Sequence, residues 1–300
     1  MRSWILLLIA PLVFASTVFA DSSHTGFVRA KIAFTTELEG GLHLFDLSNR
    51  QVRQVWVGMP NISALHYSHK NNILVFEGSR YPQSPKSIYL YYFKNKTIKK
   101  IYHADSIAGS RLKPRFHPDG DYIYAVNYRR GISRYSLKDD SWERVPVDNT
   151  AEIRFKAVSF SRSGKVVAIS PVRYNGFIIA DVINGRFVVR KHILNKFVSA
   201  TSPRWIGDKA IVFVGRAKPG AQRLWRVSVG RVPRLKMLTR NPIAVREFVA
   251  VSRDQKTLVF TGMKDKVEWR LWKMNVNGDK LEQLTKGGRL SSHLSPAWID

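Results

Sequence analysis

Beyond residue 30, apolar and polar positions alternate in short runs separated by Gly, Pro, Asn and Asp, the pattern of β-strands joined by tight turns. No stretch after the first twenty residues carries a sustained helical period. A longer pattern overlies the alternation. The segments ALHYSHKNN, KPRFHPDGD, AVSFSRSGK, SPRWIGDKA, FVAVSRDQK and LSPAWID align on one apolar position, held by Tyr67, Phe116, Phe160, Trp205, Val251 and Trp298. Successive copies lie 44 to 49 residues apart, the period of a propeller blade built from four strands.

Each interval reads as the same four elements. A strand leads to the aligned position, and a polar turn such as HPDG or SRSG follows. Next comes a short apolar strand (ILVFEG, YIYAVN, VVAISP, AIVFVG, TLVFTG), rich in the β-branched and aromatic residues that suit burial on both faces. A third strand (SIYLYYF, GFIIADV, RLWKMNV) ends in turn residues and leads to a more polar fourth. The expected fold is therefore all-β: a six-bladed β-propeller of four-stranded antiparallel blades.

The two ends complement each other. PRWIGD runs on into the strand KAIVFVG, whereas nothing follows PAWID; RAKIAFTTELEG near the amino terminus lacks an inner strand ahead of it. Leu294–Ile299 is thus expected as the innermost strand of the first blade, beside Lys31–Thr35, with Asp300 at the turn. Such a pairing closes the ring and removes the open edges an unclosed array would expose.

The stretch TLVFTGMKDKVEWRLWKMNVNGDKLEQLTKGGRLSSHLSPAWID, together with the turn in RFHPDGD, resembles the repeat of the TolB-type propellers, a WD40-like repeat family. The resemblance implies a six-bladed propeller and a binding or scaffold role in the cell envelope, with a peptidoglycan-associated lipoprotein among the implied partners. TolB itself carries a separate amino-terminal α/β domain. Here only a short stretch separates the leader from the first strand, so a lone propeller over residues 21–300 is expected.

Composition narrows the setting. Residues 1–20 begin with Arg2, continue as the apolar run WILLLIAPLVFASTVFA and end in Val18-Phe19-Ala20, a small-residue cleavage pattern; a secretory signal peptide cut before Asp21 is expected. The chain contains no cysteine, which fits a periplasm better than an extracellular space where disulfides are common. Its 49 Lys and Arg against 22 Asp and Glu give a net charge of +27. That balance favours polyanions or acidic surfaces. With export, nucleic acid is not an expected partner; an acidic protein or an anionic envelope polymer is, and peripheral contact with an anionic membrane surface is compatible. A closed propeller is expected to be monomeric.

No G-x-S-x-G, H-E-x-x-H, P-loop or G-x-G-x-x-G pattern is present, so a non-enzymatic role without a cofactor or metal is favoured. KMNVNGDKLEQL imitates a calcium loop, but Lys273 and Leu284 stand where its first and last carboxylates belong. It reads as a hairpin turn in which Asn277-Gly278 supply positive φ. Asn61 and Asn95 match the N-glycosylation pattern, which carries no meaning for a bacterial chain.

Two site hypotheses remain. Loops entering the inner strands point to one mouth of the central channel and bring Arg111, Lys113, Arg154, Lys156, Arg204, Arg246 and His293 near it, with Asn61 in the first repeat and Glu152 and Glu247 as the nearby acids. Several cations around a concave opening focus a positive potential, and arginine suits bidentate contact with carboxylate or phosphate. The alternative is a metal-assisted lyase or hydrolase acting on acidic polysaccharide, using His66, His69, His117 and His293 where the inner strands converge.

Overall fold

The computed structural model describes residues 30–36, 40–56, 58–81, 84–102, 112–127, 131–148, 154–172, 175–193, 199–217, 220–240, 242–264, 268–286 and 292–299. Residues 1–20, expected as a leader, and Arg111, Glu152 and Asp300 lie outside the described residues.

The described residues form six four-stranded antiparallel sheets. Blade one joins β1 (Lys31–Thr36), β2 (Leu42–Asp46) and β3 (Val52–Trp56) to the last strand, β24 (His293–Ile299). Blade two is β4 (Asn61–Ser68), β5 (Ile73–Ser79), β6 (Ser87–Tyr92) and β7 (Thr97–Tyr102). Blade three is β8 (Arg115–Phe116), β9 (Tyr122–Asn127), β10 (Gly131–Ser136) and β11 (Ser141–Val145). Blade four is β12 (Phe155–Phe160), β13 (Val166–Pro171), β14 (Phe177–Ile183) and β15 (Arg186–Ile193). Blade five is β16 (Ser199–Ile206), β17 (Ala210–Arg216), β18 (Arg223–Ser228) and β19 (Leu235–Met237). Blade six is β20 (Ala244–Val251), β21 (Thr257–Lys264), β22 (Glu268–Asn275) and β23 (Glu282–Gln283). All six aligned positions of the repeat fall on the innermost strand of a blade.

The core is a ring of six interfaces, one between each pair of neighbouring blades. Alternation along the second strand of each blade feeds two of them at once. In β17, Ile211 and Phe213 face blade four while Val212 and Val214 face blade six. In β5, Leu74 and Phe76 face blade one while Ile73 and Val75 face blade three. Burial on both faces explains why these strands read as unbroken apolar runs.

Ring closure follows the expected register. β24 pairs antiparallel with β1, matching Lys31 to Ile299, Ile32 to Trp298 and Ala33 to Ala297. Trp298 then packs with Ile32, Phe34 and Phe45 of blade one and with Ala250, Val259 and Leu271 of blade six. The last interface is therefore made in the same way as the other five.

One recurring feature is absent from the alternation pattern. Three residues before the aligned position, Ala64, Lys113, Ser202 and Ser295 all adopt positive φ, between 38° and 58°. Strand register slips at the same place in β4, β16 and β24. These are β-bulges. In the Ser-Pro-x-Trp copies, Ser202 and Ser295 occupy the left-handed position, and the following proline, which has no N–H, removes the need for a ladder partner. The β22–β23 turn differs in detail from the sequence reading: positive φ occurs at Gly278 and Lys280, not at Asn277, because the turn spans more than two residues and closes by Asn275 N–H donating to the Asp279 carbonyl at 2.8 Å.

Because β24 completes both a blade and an interface, its loss should not behave like that of a frayed tail. Removing residues 293–300 should lower the melting temperature of the whole molecule. Trp298→Ala should cost about 3–5 kcal/mol in urea unfolding, the range for deleting a large buried aromatic. An unchanged midpoint in either variant would refute the closure.

Candidate functional site

The site is the axial cavity of about 460 Å³, lined by inner-strand residues and by the turns that follow them. Each turn closes tightly: Gly120 N–H donates to the His117 carbonyl at 2.9 Å, Gly164 N–H to Ser161 at 3.0 Å and Gln255 N–H to Ser252 at 2.9 Å. Neighbouring turns are then tied together. Asn71 donates to the Gly120 carbonyl at 2.6 Å, Lys70 pairs with Asp121 at 2.7 Å, and His117 Nε2 lies 3.1 Å from the Gly164 carbonyl. Ser163 N–H donates to Asp208 at 2.9 Å, and Gly207 N–H to the Gln255 side chain at 3.0 Å. The result is a hydrogen-bonded collar running from blade two to blade six. Gly164 has to be glycine: its φ is +74°, and a Cβ there would meet the His117 ring at 2.6 Å.

The collar takes up carboxylates at the rim and leaves the cavity basic. Arg115, Arg162, Arg204, Arg253 and Lys70 line it, with His66, His69 and His117, and no lining residue among those described is Asp or Glu. Arg115 and Arg204 are buried one position before the aligned aromatic. Arg115 Nη1 donates to the carbonyls of Pro114 at 2.8 Å, Ala64 at 3.0 Å and Leu65 at 3.3 Å, so it also ties blade three to the bulge of blade two. Arg204 Nη1 donates to the Pro203 carbonyl at 2.7 Å.

His66 sits between them electrostatically. Burial, followed by the charges of Arg115, Arg204 and His69, pushes its imidazole well below the ordinary value. Its Nδ1 accepts the Phe116 N–H at 3.1 Å, so the neutral ring carries its proton on Nε2. The ring's one basic lone pair is already used, which leaves the imidazole a hydrogen-bond donor among the lining residues. Guanidinium groups, an imidazole N–H and the hydroxyls of Ser68, Ser159, Ser161 and Ser252 together suit carboxylate or phosphate oxygens.

The seven residues singled out in the sequence are distributed as follows. Arg204 lines the cavity. Lys113 is buried, and its amide donates to Glu77 at 3.1 Å. Arg154 is exposed, Lys156 is half-buried on β12, and the Arg246 guanidinium lies 5.5 Å from the Trp269 ring. His293 is buried, its ring 4.8 Å from Phe34. Arg111 lies outside the described residues. Of the four histidines considered for a lyase, His66, His69 and His117 share the cavity and His293 does not. No group of three His, Asp or Glu residues among the described residues is placed to hold a metal ion.

Sequence reading passed over Arg115, although a signal was present. The position just before the aligned aromatic holds His66, Arg115, Ser159, Arg204, Ala250 and Ala297, and all six line the cavity. The repeat itself therefore marks the lining.

No protein-family model matches the chain, and no curated protein sequence matches it. Its fold has solved counterparts. TolB from Acinetobacter baumannii superposes with a TM-score of 0.71 at 17% identity, over 90% of this chain and 66% of that one. A TolB-type protein from Agrobacterium tumefaciens gives 0.62 at 17% identity, over 87% and 90%. An oligogalacturonate lyase in complex with manganese gives 0.53 at 12% identity, over 88% and 75%. The chain thus spans just under two thirds of the Acinetobacter protein, and what it shares at these identities is the TolB-like propeller fold.

His293 generates a stability prediction. Burial, then the charges of Arg270 and His43, lowers its pKa from 6.5 to about 4. Between those values the unfolded chain takes up a proton that the folded chain does not. Stability should therefore fall as pH drops from 6.5 towards 4, by on the order of 3 kcal/mol from this group, and level off below. His66 acts in the same direction. Urea midpoints at pH 7 and pH 4.5 should diverge less for His293→Leu than for the native chain; equal divergence would remove His293 from the account.

Proposed function

We propose that this TolB-like propeller is an exported, non-catalytic binding protein that takes an anionic group of an acidic protein or envelope polymer into its axial cavity. The observation that carries the reading is the lining: four arginines, three imidazoles and no carboxylate around a cavity of about 460 Å³, with Lys70 paired to Asp121 at the rim. The leader pattern of residues 1–20, the absence of cysteine and the net charge of +27 support a periplasmic setting among anionic envelope components.

His66 supports binding over catalysis. A neutral imidazole whose lone pair is engaged by the Phe116 amide cannot take a proton from a substrate. The second reading, a metal-assisted lyase or hydrolase for acidic polysaccharide, is favoured by His69 and His117 on the same cavity and by the shared fold with a manganese-bound oligogalacturonate lyase.

Titration with poly-glutamate and with oligogalacturonate tests both. Binding should weaken as salt rises. Arg204→Gln should reduce affinity about ten- to hundredfold, the range for losing a charge-assisted hydrogen bond. Arg162→Ala with Arg253→Ala, both at the exposed rim, should weaken it without altering the melting temperature. Equal affinity in both variants would overturn the cavity reading, and divalent-dependent cleavage of oligogalacturonate would replace it with the lyase.

A further inference from the structure

The basic residues are not spread evenly. From residue 182 to residue 246 the chain holds fifteen Lys and Arg and a single acid, Asp208. That acid is occupied in the collar, where it accepts the Ser163 amide at 2.9 Å. Blade five lies wholly within this stretch. Its outer edge also exposes more large apolar residues than any other described. On β7, the cations Lys99 and Lys100 are exposed while Ile98 and Ile101 are partly covered. In blade five every residue from Gly230 to Met237 is exposed, including Val232 at 74%, Leu235 at 44% and Met237 at 38%. The other exposed large apolar residues among those described, Val52, Tyr81, Ile183 and Leu281, stand one to a blade.

The segment is held in place. Ser228 and Arg234 close the base of the β18–β19 hairpin through Ser228 N–H to the Arg234 carbonyl at 3.0 Å and Arg234 N–H to Ser228 Oγ at 2.8 Å. Lys191 of blade four donates to the carbonyls of Val229 at 3.2 Å and Gly230 at 2.7 Å. Lys236 reaches the Asn277 carbonyl of blade six at 2.7 Å. The tip therefore projects from a base anchored to both neighbouring blades.

Its sequence, Arg-Val-Pro-Arg-Leu-Lys-Met from Arg231 to Met237, sets each large aliphatic side chain next to a cation. A protein interface core is depleted in lysine, and the Arg and Met it favours come with aromatic residues, of which this segment has none. A bilayer surface accommodates the mixed pattern: aliphatic side chains enter the headgroup boundary while long cationic ones remain at the phosphate level. We propose that this edge of blade five is a docking surface for an anionic phospholipid bilayer. It is separate from the axial cavity and does not depend on what the cavity binds.

Co-sedimentation of the purified protein, its leader removed, with vesicles of phosphatidylcholine alone or mixed with phosphatidylglycerol tests this. Binding is expected to the mixed vesicles only, weakening as salt rises. Arg231→Glu and Arg234→Glu together should lower the partition about twenty-five-fold, since each cation near such a surface contributes about fivefold. Val232→Ser, Leu235→Ser and Met237→Ser together should lower it about tenfold. Poly-glutamate binding, measured alongside, should be unchanged in both. Three outcomes overturn the proposal: no vesicle binding; an equal loss from Lys94→Glu and Lys96→Glu on blade two, which would mean diffuse attraction; or no effect of the three serines, which would mean attraction to any polyanion.

Discussion

The structure depends on one pairing between residues from the two ends of the described fold. β24 hydrogen-bonds to β1, and Trp298 fills the interface between blades six and one. A blade buries both faces against its neighbours, so an open array of six would leave two apolar faces and an unpaired inner edge in water. Closing the ring converts both faces into a sixth interface like the rest. It also fixes the six inner strands around one axis, which is the only reason residues as distant in sequence as His66 and Arg204 share a cavity.

The fold was largely legible in the sequence because its repeat has a physical cause. Tyr67, Phe116, Phe160, Trp205, Val251 and Trp298 recur because each blade needs an inner strand at the same depth, and the closing strand was readable because the first blade lacked one. The cavity was less legible. Reading several positions upstream of the aromatic selects residues such as Lys156, Arg246 and His293, on inner strands whose register slips at or after them, ahead of the aligned position, and simple alternation does not anticipate a bulge. Lys113, at positive φ just ahead of β8, is buried with its amide on Glu77 and does not line the cavity. The hydrogen bonds from turn to turn in the collar join residues about fifty apart and leave no mark in any local pattern.

The scarce acids go to structural duties. Glu77 is buried, accepts the Ser63 hydroxyl at 2.7 Å and the amides of Leu112 and Lys113 at 3.0 and 3.1 Å, and pairs with Lys86 at 3.2 Å. Burial works to raise its pKa, but Lys86, Ser63 and the Lys113 amide outweigh that and hold it below the ordinary value. It thereby fixes the segment leading into β8. Asp121 and Asp208 serve the collar, while Asp140 and Glu282 pair with Lys99 and with Arg50 and Lys273 at outer edges. With these carboxylates spent on joints between elements, none lines the cavity, and a single acid, Asp208, stands among the fifteen cations of residues 182–246.

Native-state hydrogen exchange tests the closure most directly, because it reads the two terminal strands apart from the rest. If β1 and β24 close the ring, the amides of residues 31–36 and 293–299 that are bonded between the two strands will exchange only through global unfolding. They will then match the protection of β5 and β17 and show the same denaturant dependence. Exchange of these amides well ahead of the central strands, by local fraying at low free energy, would contradict it.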